Sequence, residues 1–385
     1  MIGTVTRSDS DAIDAGQSNG KILPMPKPFR YLEPTFFAGL FDDPLLLVRV
    51  RPTGRALLFD CGKMHHLAKR VYTSIDAIFI SHAHMDHFMG MDSVIRHSHA
   101  SPRTIDVFGP PGLADRMGHK FSCYDWNLAD TFWGNFRVAE INDDGRIAGT
   151  LFRGPDGFAA TREGERSGVL YGNRYLTVTS AQCEHRIPVV AYKVEEGAAF
   201  VIDDERMAAA GVRKGVWLKE MEKLFHDGLM EGSPVRFLCS SGESVEERVE
   251  TDAAALYQRI RKFEEPASIG YVTDIGYSEE NMASLEGLVK GVTLLVCECA
   301  FLASEQAKAR LSRHMSTTDF NMMLDRLRPK YVLPMHFSKT YQRGSEPLYK
   351  EIEPPPGVTV LKIPDRLTPR PIMESEVPRP VELKS

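Results

Sequence analysis

Short apolar segments recur along the chain and alternate with longer segments whose apolar positions follow a helical period. Leu45–Val50 and residues 56–59 flank a turn with Pro52 and Gly54, which predicts a β-hairpin. Further apolar segments predict strands at residues 75–80, 104–108, 269–273, 292–296 and 331–334. Helices are predicted at residues 278–290, which open on a capping serine, and at 317–327, which open on Thr-Thr-Asp. This alternation of strands and helices predicts a layered α/β fold.

Polar residues with metal-binding side chains follow the ends of several predicted strands. The strand at 75–80 leads into a histidine cluster, and the strand at 269–273 ends at Asp274. The strand at 292–296 leads into Glu298, and the strand at 331–334 ends just before His336. Strand ends are rigid, and the loops after them are free to carry function. The pattern therefore predicts a site at one edge of the fold.

The histidine cluster is the strongest chemical feature of the sequence. His82, His84, Asp86 and His87 lie within six residues of one another, and neutral imidazole and carboxylate groups are ligands for zinc, manganese or iron. An extended segment followed by a tight turn can direct the first two side chains to one side and the last two to another. That arrangement suits two adjacent metal ions. A histidine-rich surface loop is the competing interpretation, but the apolar strand leading into the cluster favours a metal site.

Composition and charge narrow the classes of protein. The chain has 385 residues, enough for one large core or two modest domains, and its net charge of -5 argues against a broad surface that coats nucleic acid. No apolar run approaches the roughly 18 residues of a membrane-spanning helix, and the N-terminus lacks the order of a signal peptide. The six cysteines are scattered, without a CxxC pair, which favours reduced thiols. We therefore expect a cytoplasmic protein that does not associate with membranes.

Three segments are distinguished by composition. Residues 1–20 are rich in Ser, Asp and Gly and are expected to be disordered. Residues 21–363 carry the predicted strands and helices together with the histidine cluster, and are expected to form the folded domain. Residues 364–385 form a Pro-rich tail, expected to be extended or loose.

The chain resembles the ribonuclease Z branch of the metallo-β-lactamase superfamily over most of residues 33–343. The central motif is His82-x-His84-x-Asp86-His87. Further segments are similar to family blocks in the same order along the chain: Leu58-Phe59-Asp60-Cys61-Gly62, Val107-Phe108-Gly109-Pro110-Pro111-Gly112-Leu113, His185-Arg186-Ile187-Pro188 with Tyr192, Tyr271-Val272-Thr273-Asp274, Glu298-Cys299-Ala300-Phe301, His314-Met315-Ser316 and His336-Phe337-Ser338. The resemblance implies an αββα sandwich, in which two central β-sheets are flanked by helices.

The resemblance also implies a ligand set for two divalent metal ions. One ion would be held by His82, His84 and His185. The other would be held by Asp86, His87 and His336, and Asp274 would bridge the two. Zinc is the expected metal, with manganese and iron as alternatives, because shells of this kind accept all three. A homodimer is a further implication of the resemblance.

The expected reaction is hydrolysis by a metal-bound hydroxide, since two close metal ions lower the pKa of a bridging water. His314 is the candidate proton donor to the leaving group, and Glu298 is placed to orient its ring. By resemblance, Asp86 also helps to take the proton from the water. His314 could instead be a polar residue before a helix cap, but a buried Glu298 without a partner would be costly, which favours the pair.

The substrate is less constrained than the metal site. The family grips tRNA with an arm, and the corresponding stretch here, residues 203–231, is a shortened version. The Gly-Pro signature of the family's arm is missing, because Gly215 is followed by Val216. Positive and negative charges in this stretch are nearly balanced. Other departures are Lys63-Met64-His65-His66 after the Asp-Cys-Gly segment, Ile275 after Asp274, and Lys339-Thr340-Tyr341 after the last histidine block. Lys339 and Arg343 are candidate phosphate contacts near the site.

Four functions remain open at this point. The first is a phosphodiesterase or endoribonuclease acting at the 3′ end of precursor tRNA or a related RNA. The second is a hydrolase of small phosphodiesters such as cyclic nucleotides. The third is a lactone or thioester hydrolase, which has no need of the acid pair formed by His314 and Glu298. The fourth is a non-catalytic binding protein, which the complete ligand set disfavours.

Overall fold

The computed structural model describes residues 28–38, 40–41, 43–99, 102–127, 132–241, 244–363 and 381–382. The predicted disordered segment, residues 1–20, lies outside the described residues, and so does the Pro-rich tail except for Val381 and Glu382. Among the described residues, no helix is long and apolar enough to cross a membrane.

The first half of the chain forms an eight-stranded sheet whose strands follow one another in chain order. The strands are β1 (Leu32–Ala38), β2 (Leu45–Val50), β3 (Arg55–Phe59), β4 (Ile75–Phe79), β5 (Thr104–Gly109), β6 (Asn135–Ile141), β7 (Ile147–Arg153) and β8 (Ala159–Arg166). β2 and β3 pair antiparallel across the predicted turn, which confirms the hairpin. β3, β4, β5 and β6 run parallel, so their carboxyl ends meet at the same edge.

The second half forms another eight-stranded sheet, in which antiparallel strands adjoin a parallel group. Its strands are β9 (Tyr171–Asn173), β10 (Leu176–Glu184), β11 (Pro188–Glu196), β15 (Ser268–Val272), β16 (Leu294–Glu298), β17 (Tyr331–Met335), β18 (Thr359–Lys362) and β19 (Val381–Glu382). β15, β16, β17 and β18 run parallel. Their carboxyl ends therefore present Asp274, Glu298 and His336 at a common edge, as the strand-end pattern predicts.

The main apolar core lies between the two sheets. Phe59 and Phe79 of the first sheet pack against Tyr192 and Tyr271 of the second, with ring centroids 5.4–5.9 Å apart where the sheets meet. Burial of these rings removes a large apolar area from water and fixes the distance between the two sheets.

Helices cover the outer faces of both sheets. They are α1 (Lys69–Ser74), α2 (Met85–Phe88), α3 (Met91–Ser98), α4 (Leu113–Ser122), α8 (Glu279–Val289), α9 (Gln306–Ser312), α10 (Thr317–Leu327) and α11 (Glu346–Glu351). The apolar faces of α3 and α4 pack on the first sheet, and those of α8 and α10 pack on the second. Helix, sheet, sheet and helix thus form four layers, which is the αββα sandwich expected from the sequence.

A separate unit is inserted between β11 and β15. It contains α5 (Asp204–Ala209), β12 (Val212–Arg213), α6 (Trp217–Asp227), β13 (Val235–Ser241), β14 (Ser244–Glu250) and α7 (Ala253–Ile260). β12, β13 and β14 form their own sheet. Trp217, Met221, Phe237 and Leu256 belong to its own apolar cluster. The segment at 203–231 that resembles a family arm is the first half of this larger unit.

Candidate metal centre

The predicted ligands converge at the edge where the carboxyl ends of the parallel strands of both sheets meet. His82 and His87 are fully buried in the loop and short helix after β4, while His84 and Asp86 lie nearer the surface. His185 lies in the turn between β10 and β11, Asp274 follows β15, and His336 follows β17. The structure brings all seven predicted ligands together.

His82, His84 and His185 form one side of the centre. Nε2 of His82 lies 2.8 Å from Nδ1 of His84, and the ring centroid of His185 lies 5.8 Å and 5.6 Å from those of His82 and His84. Nδ1 of His185 donates to the carbonyl oxygen of Arg313 at 2.7 Å, since a carbonyl can only accept. Nε2 of His185 is thereby left as the nitrogen available to a metal ion.

Asp86, His87 and His336 form the other side. Oδ2 of Asp86 lies 3.3 Å from Nε2 of His336 and 3.5 Å from Nε2 of His87. His336 is held in a left-handed backbone conformation with φ of 56°. That conformation is rare for a residue with a side chain, and such strain is found where a site requires it.

Asp274 lies between the two sides and is only 2% exposed. Its Oδ2 lies 3.5 Å from Nε2 of His82 and 3.3 Å from Nε2 of His87. Its Oδ1 lies 3.3 Å from Nδ1 of His336 and accepts a hydrogen bond from the hydroxyl of Thr273. One carboxylate therefore faces ligands of both sides, which is the arrangement that a bridging ligand requires.

The donor set fits divalent metal ions. In the described part of the chain, the buried atoms Nε2 of His87 and Nδ1 of His336 have no hydrogen-bond partner, and such atoms are costly unless they bind something. Burial lowers the pKa of His82 to about 2, which keeps its imidazole neutral as a ligand must be. Burial opposes protonation of His87 as well, but the carboxylates of Asp274 and Asp60 raise its pKa well above the usual value. This strongly anionic environment favours a cation.

Asp60 supports the centre from behind, in a role that the sequence did not reveal. Its fully buried carboxylate accepts hydrogen bonds from Nδ1 of His87 at 2.7 Å, the Tyr271 hydroxyl at 2.9 Å, and both the backbone and the hydroxyl of Ser81. The bond to Nδ1 turns Nε2 of His87 toward Asp274. Asp60 follows β3 and has a positive φ of 51°, as Asp274 does after β15. The strand-end pattern could therefore have identified it.

Glu298 and His314 form a pair beside the candidate metal ligands. Oε2 of the fully buried Glu298 lies 2.8 Å from Nδ1 of His314, and its Oε1 accepts a hydrogen bond from the backbone of Ile275. The His314 ring lies 4.7 Å from that of His185 and 5.6 Å from that of His336. Burial lowers the pKa of His314, but the carboxylate of Glu298 outweighs this effect and raises the pKa to about 9. The pairing with Glu298 therefore favours the protonated form of the His314 ring, which lies beside the candidate ligands.

Comparison with known proteins gives the same family context. The family model for the beta-lactamase superfamily domain matches residues 55–168. The chain is 26% identical over 295 residues to ribonuclease Z of Deinococcus radiodurans, covering 75% of this chain and 84% of that protein. It is also 26% identical over 307 residues to ribonuclease Z of Microcystis aeruginosa, covering 78% and 80% of the two chains. The crystal structure of the short form of human tRNase Z aligns with a TM-score of 0.47 at 16% identity, covering 80% of this chain and 94% of that chain.

The superfamily match and the ribonuclease Z relatives confirm the resemblance found in the motifs and the fold expected from it. They also support the classification of the chain as a metal-dependent hydrolase. The fold implies divalent metal binding, and the grouped histidines and aspartates provide a site for it.

Proposed function

We propose that the chain, a ribonuclease Z-like hydrolase of the metallo-β-lactamase superfamily, cleaves phosphodiester bonds in RNA, with the 3′ end of precursor tRNA or a related RNA as substrate. The observation that carries this proposal is the pair of Glu298 and His314 beside the candidate ligands. Asp274, Glu298, His314 and His336 offer ligand atoms that all lie within 4.8 Å of one another. A proton donor at that position suits a reaction whose leaving group is an alkoxide.

The proposed ligands are the seven side chains that meet at this edge, and their division between two ions follows the family resemblance. His82, His84 and His185 would hold one divalent ion, Asp86, His87 and His336 would hold the other, and Asp274 would contact both. Zinc is the proposed metal, with manganese and iron as alternatives. When bound, such a pair of ions supplies an activated water and polarises a phosphoryl oxygen.

The chain's own residues would handle the protons. Nδ1 of His314 is engaged by Glu298, so Nε2 is the nitrogen that would give its proton to the departing ribose oxygen. The buried carboxylate of Glu298 would stabilise the charged ring before the transfer and fix its orientation. Asp86, which is partly exposed at the mouth of the centre, would help to accept the proton of the attacking water.

A small phosphodiester, such as a cyclic nucleotide, is the second candidate substrate, and the inserted unit favours it. Several basic side chains of this unit are neutralised internally: Lys214 pairs with Asp204 at 2.9 Å, and Arg259 pairs with Glu250 at 3.1 Å. A surface that grips a phosphate backbone needs an excess of free positive charge. The relatives named ribonuclease Z support RNA, so a direct comparison of substrates is required.

The decisive experiment offers the purified enzyme 3′-extended precursor tRNA, a cyclic nucleotide and a chromogenic phosphodiester, with zinc and with manganese. We expect cleavage of the precursor tRNA at its 3′ side and loss of all activity after chelation, restored by adding the metal back. Cleavage of the small substrates alone would contradict the RNA assignment and support the second candidate. Activity that survives chelation would contradict both.

We also propose that the protein acts in the cytoplasm as a homodimer. All six cysteines, each in the described part of the chain, are free thiols, and five of them are buried, which suits a reducing compartment. The dimer rests on the family resemblance. Light scattering coupled to size-exclusion chromatography would test it, with a mass near 86 kDa expected from twice the chain mass of 43.1 kDa and a mass of one chain contradicting it.

A further inference from the structure

A closed ring of hydrogen bonds joins three loops of the candidate site, and Asn281 of α8 completes it. Nδ1 of His185 donates to Arg313, whose neighbour His314 bonds Glu298. Glu298 in turn accepts from Ile275, which lies in the loop after Asp274. The remaining gap, between this loop and the turn that carries His185, is bridged by Asn281.

Asn281 uses both ends of its side-chain amide for this bridge. Its Oδ1 accepts from the backbone N–H of Glu184 at 2.9 Å. Its Nδ2 donates to the carbonyl oxygen of Glu184 at 3.1 Å and to that of Gly276 at 2.9 Å. Glu184 precedes His185, and Gly276 lies two residues after Asp274. An amide is the side chain that offers two donors and an acceptor at once without a charge.

The position of Asn281 gives these bonds their strength. The residue is only 3% exposed, so an unmade bond at this place would leave a buried polar group without a partner. β9 pairs with residues 176–178 of β10, and among the described residues no strand covers the edge of β10 at Glu184. The amide therefore takes the place of a neighbouring strand at the end of β10.

We propose that Asn281 is a positioning residue that fixes His185 relative to Asp274 and so sets the affinity of the metal site that contains His185. This inference rests on the proposed ligand set and does not require that RNA be the substrate. Asn281 touches neither metal ion nor substrate in this role. It acts through the backbone of the two loops, in the way that groups behind a metal ligand set its orientation.

The test uses three variants of the full-length protein. Asn281→Ala removes all three bonds. Asn281→Asp keeps the shape and the acceptor for Glu184 N–H but loses both donors, and it places a carboxylate against two carbonyl oxygens. Ser278→Ala is the matched control from the same helix turn, because Ser278 Oγ accepts the backbone N–H of Asn281 at 3.1 Å and so caps α8 without contacting either loop in the described part of the chain.

Two measurements are made, and the first needs no metal. Hydrogen exchange of the Glu184 amide in the metal-free protein should be fast in Asn281→Ala and slow in wild type, Asn281→Asp and Ser278→Ala. Zinc and cobalt titrations should then show about 10- to 100-fold weaker binding at one of two sites in both Asn281 variants. Ser278→Ala should bind both ions within about threefold of wild type.

Each failure has a distinct meaning. Equal metal affinity in Asn281→Ala and wild type would overturn the positioning role, and so would an equal loss of affinity in Ser278→Ala, which would point to general destabilisation of α8. If the wild-type protein cleaves none of the three phosphodiester substrates while Asn281→Ala still loses one metal ion, the proposed function fails and the positioning role stands.

Discussion

The candidate metal centre and the inserted unit between β11 and β15 differ in burial, in the elements that supply their side chains and in how their charges are paired. Most of the centre is buried and its side chains come from both sheets. Several candidate ligands are also held by groups outside the centre, such as His87 by Asp60 and His185 by the carbonyl of Arg313. The unit has its own small sheet and apolar cluster, and β14 is exposed along nearly its whole length. Several of its charged side chains pair with each other.

This difference separates the chemistry from the choice of substrate. The centre requires fixed positions, so its residues are constrained by long-range contacts such as that of Asp60 with His87. The inserted unit is free to change its surface without disturbing the centre, since its core is separate. We therefore expect substitutions in the centre to abolish the reaction, and substitutions on the surface of the unit to change only which substrates are cleaved.

The largest effect is expected for Asp274→Ala. Its carboxylate faces His82, His87 and His336, so its removal should release both metal ions and abolish activity together. Metal content by mass spectrometry and turnover of a chromogenic phosphodiester measure the two losses. Asp325→Ala, which removes an exposed carboxylate paired with Arg328, is the control and should retain both. A fully loaded, active Asp274→Ala would rule out the bridging role.

A smaller and more selective effect is expected for His314→Ala. The variant should retain its metal ions, because His314 is assigned to proton transfer, while phosphodiester cleavage should fall by about 10²- to 10⁴-fold. A substrate with a good leaving group, such as a nitrophenyl ester, should be affected less, because it needs no proton on departure. His119→Ala, which changes an exposed histidine of α4, should behave as wild type. Unchanged turnover in His314→Ala would remove it from the mechanism.

The sequence predicted the centre better than the unit for a physical reason. His82, His84, Asp86 and His87 are adjacent in the chain and follow an apolar strand, so local pattern and chemistry coincide there. Among the other candidate ligands, Asp274 and His336 follow apolar strands of the same kind, while His185 lies in the turn between β10 and β11. The family resemblance supplied their order.

The remaining contacts could not be predicted because they join residues far apart in the chain. Asp60 and Tyr271 are 211 residues apart, and Asn281 reaches Glu184 across 97 residues. Neither pair shares a local pattern. The second half of the inserted unit was also missed. Of its two strands, only β13 buries apolar side chains. The valines of β14 (Ser244–Glu250) lie on an exposed face, so their alternation does not mark a buried strand.

The smallest effect is expected from Lys214→Ala in the inserted unit. Lys214 is exposed and paired with Asp204, and such surface pairs contribute about 1 kcal/mol or less. If the unit does not grip phosphate, the kcat/KM for precursor tRNA should change by less than about fivefold. The dependence of that value on salt concentration should also keep its slope, because no phosphate contact is lost.

This variant is the sharpest challenge to the separation of the two regions. A large fall in kcat/KM for precursor tRNA, together with a shallower salt dependence and unchanged cleavage of the chromogenic substrate, would show that Lys214 contacts the RNA backbone. The inserted unit would then act as a binding arm despite its balanced charge. Asp204→Ala is the matched control: it frees Lys214 from its partner and should strengthen RNA binding if the lysine can reach a phosphate. If it cannot, Asp204→Ala should leave RNA binding as it is in wild type.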